Sequence, residues 1–141
     1  MMSVAVKRVY EAASPSDGVR VLVDRLWPRG LTKEDAAVKL WLREIAPSNE
    51  LRQWFHANAA GWSMFRKRYL KELASAEGSA AVEKLHHLAE GNPVTLLYAS
   101  RNEERNNATV LKELLEGMRK PPSSVGRGVV GRGRIRKAKK N

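Results

Sequence analysis

The chain has 141 residues, 43% of them hydrophobic, which fits one domain with a real core. It contains no cysteine, which excludes disulfides and thiolate metal sites and fits a reducing cytosol. Its net charge of +11 is uneven: residues 1–120 hold 19 Lys/Arg against 15 Asp/Glu, whereas 121–141 hold 7 basic residues and no acid, so most of the basic character belongs to a tail.

Near the N-terminus, Lys7 and Arg8 interrupt the apolar stretch, so no signal peptide is expected there. No run approaches the roughly 18–20 apolar residues of a membrane span. The expected location is the cytoplasm. Val4 to Val9 reads as a first strand. Ser14-Pro15-Ser16-Asp17-Gly18 is a turn, because proline presets φ and glycine tolerates positive φ. Val19 to Asp24 is a second strand, rich in β-branched valine. Pro28 ends any regular element, and Gly30 lets the backbone turn.

Thr32 has the chemistry of a helix N-cap, with Asp35 three residues on in capping-box position. Val38, Trp41, Leu42 and Ile45 follow at i, i+3, i+4, i+7, which predicts one face of a helix running to Pro47. Ser48 caps a short second helix with Leu51, Trp54 and Phe55 on one side. A third helix is predicted over about 62–74, burying Phe65, Tyr69 and Leu73, and a fourth over about 80–89 with Val82, Leu85 and Leu88. Gly91-Asn92-Pro93 is a turn. Val94 to Ala99 is the clearest strand: short, nearly all apolar and bounded by turns. A strand apolar on both faces belongs in the middle of a sheet covered on both sides. A last helix uses Val110, Leu111, Leu114, Leu115 and Met118.

Strands interleaved with helices predict an α/β fold: a small, mostly parallel sheet with helices packed on both faces, over residues 1–120. From Pro121 onward there is no periodicity. That segment cannot bury enough apolar surface to offset chain entropy, so 121–141 is expected to be a disordered basic tail.

Two strand ends then matter together. Asp24-Arg25-Leu26-Trp27-Pro28-Arg29-Gly30 follows the second strand, and Tyr98 to Asn107 spans the end of the strong one. If the strands are parallel neighbours, both loops open on the same sheet edge, where α/β proteins commonly hold ligands. That edge would gather Asp24, Arg25, Trp27, Arg29, Tyr98, Arg101, Asn102, Arg105 and Asn106. Guanidinium forks bind carboxylate or phosphate, and an asparagine at a helix N-terminus adds amide donors beside the dipole. The ligand so described is a small anion, with a flat group against Trp27. The same residues also fit a structural reading, in which the charges pin the loop, Trp27-Pro28 packs and Asn106 caps the last helix.

Val23-Asp24-Arg25-Leu26-Trp27-Pro28-Arg29-Gly30, Trp41-Leu42-Arg43-Glu44-Ile45-Ala46-Pro47-Ser48, Leu51-Arg52-Gln53-Trp54-Phe55 and Val94-Thr95-Leu96-Leu97-Tyr98-Ala99 closely resemble the DUF488 family, in its YeaO-like branch. So does Asn106 with the apolar helix after it. The resemblance spans about 4–118. It implies a small cytosolic bacterial α/β protein of a family without an assigned activity. Labels of regulator or tetrapyrrole methyltransferase in that family find no support in these residues, which show neither a glycine-rich cofactor loop after a strand nor a helix-turn-helix. Sequences of the branch often read Asn-His where this chain has Asn106-Asn107, so the acid–base residue best suited to neutral pH is missing at that position.

No metal site and no cofactor are expected. His86 and His87 are adjacent and point about 100° apart on a helix, which disfavours joint metal binding. His56 ends a short helix. Ser48 reads as a cap rather than a nucleophile, and Glu103 and Glu104 as a solvated turn. If the chain is an enzyme, electrostatic stabilisation of an anionic transition state is the mechanism these residues support best. The alternative is a nucleic-acid-associated protein. Its tail residues Arg127, Arg132, Arg134, Arg136, Lys137, Lys139 and Lys140 would give salt-sensitive, sequence-blind contact with phosphates.

Overall fold

The computed structural model describes residues 2–118; the tail and its seven basic residues lie outside them. Four strands form one parallel sheet: β1 (Val4–Arg8), β2 (Val19–Leu22), β3 (Leu40–Trp41) and β4 (Val94–Tyr98), in the order β1-β4-β2-β3. Leu96 of β4 lies opposite Val6 of β1 on one side and Val21 of β2 on the other. All five β4 residues are buried, as its nearly all-apolar run predicts for a strand in the middle of the sheet.

Five helices surround the sheet: α1 (Lys33–Ala36), α2 (Asn49–Ala57), α3 (Trp62–Leu73), α4 (Ala76–Gly91) and α5 (Asn107–Gly117). Alternation of side chains along the strands divides the core in two. Val4, Val21, Val23, Leu96 and Tyr98 pack with residues of α2, α3, α4 and α5. Leu22 and Leu97 face the other way, with Val9, Ala36 of α1, and the rings of Trp27 and Trp41. Helices therefore cover both faces, but unequally: four of them on one, and a single helical turn with loop residues on the other.

The helix predicted from Thr32 to Pro47 does not form as a unit. Thr32 does cap α1, accepting from the Asp35 N–H at 3.0 Å. The helix then stops after one turn, at Ala37, whose φ of 50° is left-handed. The cause lies in another strand. The buried Arg20 side chain donates to the carbonyls of Ala36 (2.9 Å) and Ala37 (3.2 Å), occupying the acceptors a continuing helix would use. Backbone pairing with β2 takes over: the Lys39 N–H reaches the Arg20 carbonyl at 2.9 Å, and the Leu42 N–H reaches that of Leu22 at 2.9 Å. Val38, Trp41, Leu42 and Ile45 thus satisfy helical spacing without being helical. Trp41 belongs to β3, and Ile45 to a 3₁₀ turn over Arg43–Ile45.

α4 begins earlier than the predicted residue 80. Ser75 caps it by accepting from the Gly78 N–H at 3.1 Å. The first turn, Ala76-Glu77-Gly78-Ser79, carries too little apolar content for periodicity to reveal it.

Arg20 is itself held by Asp17, at 2.7 Å, and Lys7 joins the same carboxylate at 3.1 Å. Burial favours a neutral Asp17, but hydrogen bonds from the Ser14 N–H, Arg20 and Lys7 outweigh it and hold the carboxyl below its ordinary value. The Thr95 hydroxyl donates to the Asp17 carbonyl at 2.7 Å, so this polar knot ties β1, β2, β4 and the end of α1 together. Among the described residues no helix is long and apolar enough to cross a membrane.

Candidate functional site

β2 and β4 are parallel neighbours, so the loops after them open on one edge. A cleft of about 760 Å³ lies there. Its walls come mainly from residues 24–29, from 99–102 and 105–107, and from α2, with Tyr10, Pro47 and Phe65 beside them.

The 24–30 loop is held by side chains donating to its backbone, or reaching out from it. The Trp41 indole N–H donates to the Asp24 carbonyl (2.8 Å), and the Tyr10 hydroxyl to that of Arg29 (2.9 Å). The Trp27 indole N–H closes the loop on the Leu31 carbonyl at 2.7 Å. Gly30 turns the chain with φ of 83°, a conformation that costs glycine little. On the facing loop, Arg8 donates to the carbonyls of Ala99 (3.0 Å) and Ser100 (2.9 Å). The Asn102 side chain accepts from the N–H groups of Glu104 and Arg105. Asn106 caps α5, accepting from the Thr109 N–H at 3.0 Å, and its amide donates to the Asn102 carbonyl at 2.8 Å.

Asp24 joins the two loops. One carboxylate oxygen accepts from the Ala99 N–H at 2.9 Å, the other from the Asn107 amide at 3.1 Å. The same Asn107 nitrogen donates to the Val23 carbonyl at 2.8 Å. Burial raises the Asp24 carboxyl above its ordinary value, against the pull of these two hydrogen bonds and the charge of Arg52.

Of the residues expected at this edge, Asp24, Arg25, Trp27, Arg29, Arg101 and Asn106 all line the cleft, as do Asn102 and Arg105. Tyr98 does not. It is 2% exposed within the larger core, because strand alternation turns it to the same face as Leu96. Burial raises its hydroxyl pKa. Two others carry structural duties as well. Arg25 donates to the carbonyls of Pro47 (3.0 Å) and Ala46 (3.2 Å). Trp27 packs edge-on against Trp41, with ring centroids 5.4 Å apart.

Several cleft residues were not anticipated. Arg52, Phe55 and His56 reach it from α2, where i, i+3, i+4 spacing places them on one face. Helical spacing groups Phe55 equally well with Leu51 and Trp54 on the apolar side, so spacing alone does not bring it to the cleft. The Arg52 Nε is buried and makes no hydrogen bond among the described residues. Asn107 matters as the partner of Asp24. Arg25, Arg29, Arg52, Arg101 and Arg105 therefore surround one cleft, and none forms an ion pair with a carboxylate among the described residues.

The remaining candidates resolve simply. The Ser48 hydroxyl caps α2, accepting from the Leu51 N–H, and donates to Glu72 at 2.6 Å. His86 is fully buried and His87 largely exposed. Among the described residues, no three His, Asp or Glu side chains are grouped to hold a metal.

Fold and cleft together define a small parallel α/β domain with a cationic pocket at the carboxyl ends of its strands. The chain belongs to the DUF488 family: residues 3–123 match DUF488-N3i, described as the inactive DUF488-N3 subclade. It is similar to the uncharacterized protein YeaO of Escherichia coli K12, 45% identical over 117 residues, which cover 83% of this chain and all of YeaO. It is equally similar, at 45% over 114 residues, to Rv3073c of Mycobacterium tuberculosis H37Rv and Mb3100c of Mycobacterium bovis; these cover 81% of this chain and 94% of each relative. No solved structure matches it.

Proposed function

We propose that the chain binds a small anionic ligand, bearing phosphate or carboxylate, in this cleft, and binds it without turning it over. The single observation that carries the reading is the set of five arginines around one cleft, none of them in an ion pair among the described residues. Like charges gathered at one place repel, and a bound anion relieves that cost. Arg29, Arg101 and Arg105 are exposed and free to swing onto an anion. Asn102 and Asn106 stand beside them at the start of α5, whose dipole favours negative charge. Two further points support binding over catalysis. The family carries the description inactive, and position 107 places an amide, which does not titrate, against Asp24.

A thermal-shift screen of the full chain against inorganic phosphate, nucleotides, sugar phosphates and simple carboxylates tests the proposal. A ligand at 100 times its dissociation constant adds roughly 2.7 kcal/mol of stability. Arg29→Ala and Arg101→Ala should fold normally and lose the shift. An unchanged shift in both variants would count against the cleft as the site.

A second reading concerns the tail. Its charge of +7 over 21 residues favours loose contact with nucleic acid. Deleting 121–141 should then abolish DNA or RNA retention while leaving small-anion binding unchanged.

A further inference from the structure

The anion occupies only part of what this cleft offers. Pockets of roughly 300–1,000 Å³ take organic ligands of drug size, and about 760 Å³ is far more than a bare phosphate fills. Beside the arginines the wall is apolar: Phe55, Phe65, Leu26, Pro28 and Pro47 all line it. The Phe55 ring is half-buried and stacked on Phe65 with centroids 4.3 Å apart, and it lies tilted beside Trp62 with centroids 5.9 Å apart. It is therefore a fixed surface rather than a mobile side chain. Leu26 stands at the rim 56% exposed, one of the few large apolar side chains left open to solvent. Trp27, the expected stacking surface, is committed to Trp41 and to the Leu31 carbonyl.

Arg52 lies one helical turn before Phe55 on the same face of α2. Its Nε is shielded from solvent without an acceptor among the described residues. A buried N–H donor without a partner is costly and suggests a partner supplied from outside. Resting on the anion-binding reading above, we infer that α2 is the recognition face of the cleft: Arg52 seats the anionic group, and Phe55 with Leu26 carries a flat, ring-like body attached to it. The ligand class is thus an aryl- or heteroaryl-bearing phosphate or carboxylate, rather than an inorganic ion or a sugar phosphate.

Isothermal titration of the full chain with inorganic phosphate and with phenyl phosphate tests this. Phenyl phosphate should bind on the order of tenfold more tightly, the scale expected when a ring gains an aromatic contact and leaves water. Phe55→Leu should remove most of that preference while leaving the affinity for inorganic phosphate unchanged. Leu26→Ser, at the exposed rim, should reduce the preference and serves where Phe55→Leu does not fold. Arg52→Gln should weaken both probes together. Equal affinities for the two probes, or a preference untouched by both Phe55→Leu and Leu26→Ser, overturns the inference and leaves the anion site standing. An Arg52→Gln variant that binds both probes normally overturns the role of Arg52. Binding of inorganic phosphate alone overturns the inference and leaves the anion site standing, whereas failure of both probes to bind the unaltered chain overturns the two together.

Discussion

Replacing Asn107 by alanine isolates the contact that joins the two loops of the cleft. The amide nitrogen serves two acceptors, the Val23 carbonyl at 2.8 Å and the Asp24 carboxylate at 3.1 Å. A hydrogen bond to a neutral acceptor contributes about 0.5–1.5 kcal/mol and one to a charged group about 1.5–3 kcal/mol, so the loss should be roughly 2–4 kcal/mol near neutral pH. Alanine is a better helix former than asparagine, which offsets a few tenths of that. The pH dependence identifies the mechanism. Burial raises the Asp24 carboxyl in the folded chain, and removing the Asn107 bond, which lowers it, raises it further. A raised carboxyl contributes stability that is complete below its unfolded value, about 4, and is lost as pH rises through the folded value. The variant loses more over that rise than the unaltered protein does. The gap between them should therefore be smallest in acid and widen toward neutrality. Urea unfolding of both proteins at several pH values measures the gap, and NMR titration of the Asp24 carboxyl follows its cause. A gap of the same size at all pH values would refute the claim that Asn107 serves the ionised carboxylate.

The other predictions concern the frame around the cleft. Asp17→Asn leaves Arg20 and Lys7 without their carboxylate and should cost about 3–5 kcal/mol near neutral pH. Because the folded Asp17 carboxyl is held low, that stability is lost as pH falls through its folded value, so the cost should shrink in strong acid when followed by chemical denaturation. Asn106→Ala removes the α5 cap and should cost about 1–2 kcal/mol, with faster amide exchange in the first turn of α5. Arg25→Ala should cost about 1–3 kcal/mol by releasing the Ala46 and Pro47 carbonyls, whereas Arg29→Ala should change stability by less than about 0.5 kcal/mol. Equal melting temperatures for the two arginine variants would show that Arg25 does not clamp the loop.

The sequence by itself determined what depends on near neighbours. Val94 to Tyr98 is apolar but for Thr95 and bounded by turns, and it became an interior strand of the sheet. Thr32, Ser48 and Asn106 all cap helices, because a capping side chain reaches only three residues along its own chain. The string from Asp24 to Gly30 marked the cleft, because a strand that turns abruptly polar exposes its end. Tertiary structure decided the rest. Whether Val38 to Ile45 continued a helix or joined the sheet was settled by Arg20, a residue from another strand held by a buried carboxylate. Arg25 and Trp27 entered the cleft partly spent, since their donors found carbonyls up to 22 residues away. Tyr98 turned inward because pleating fixes its face. Arg52 and Phe55 became wall residues only because α2 packs with that face toward the arginine loops. Local spacing says which residues share a face; only packing says what the face meets.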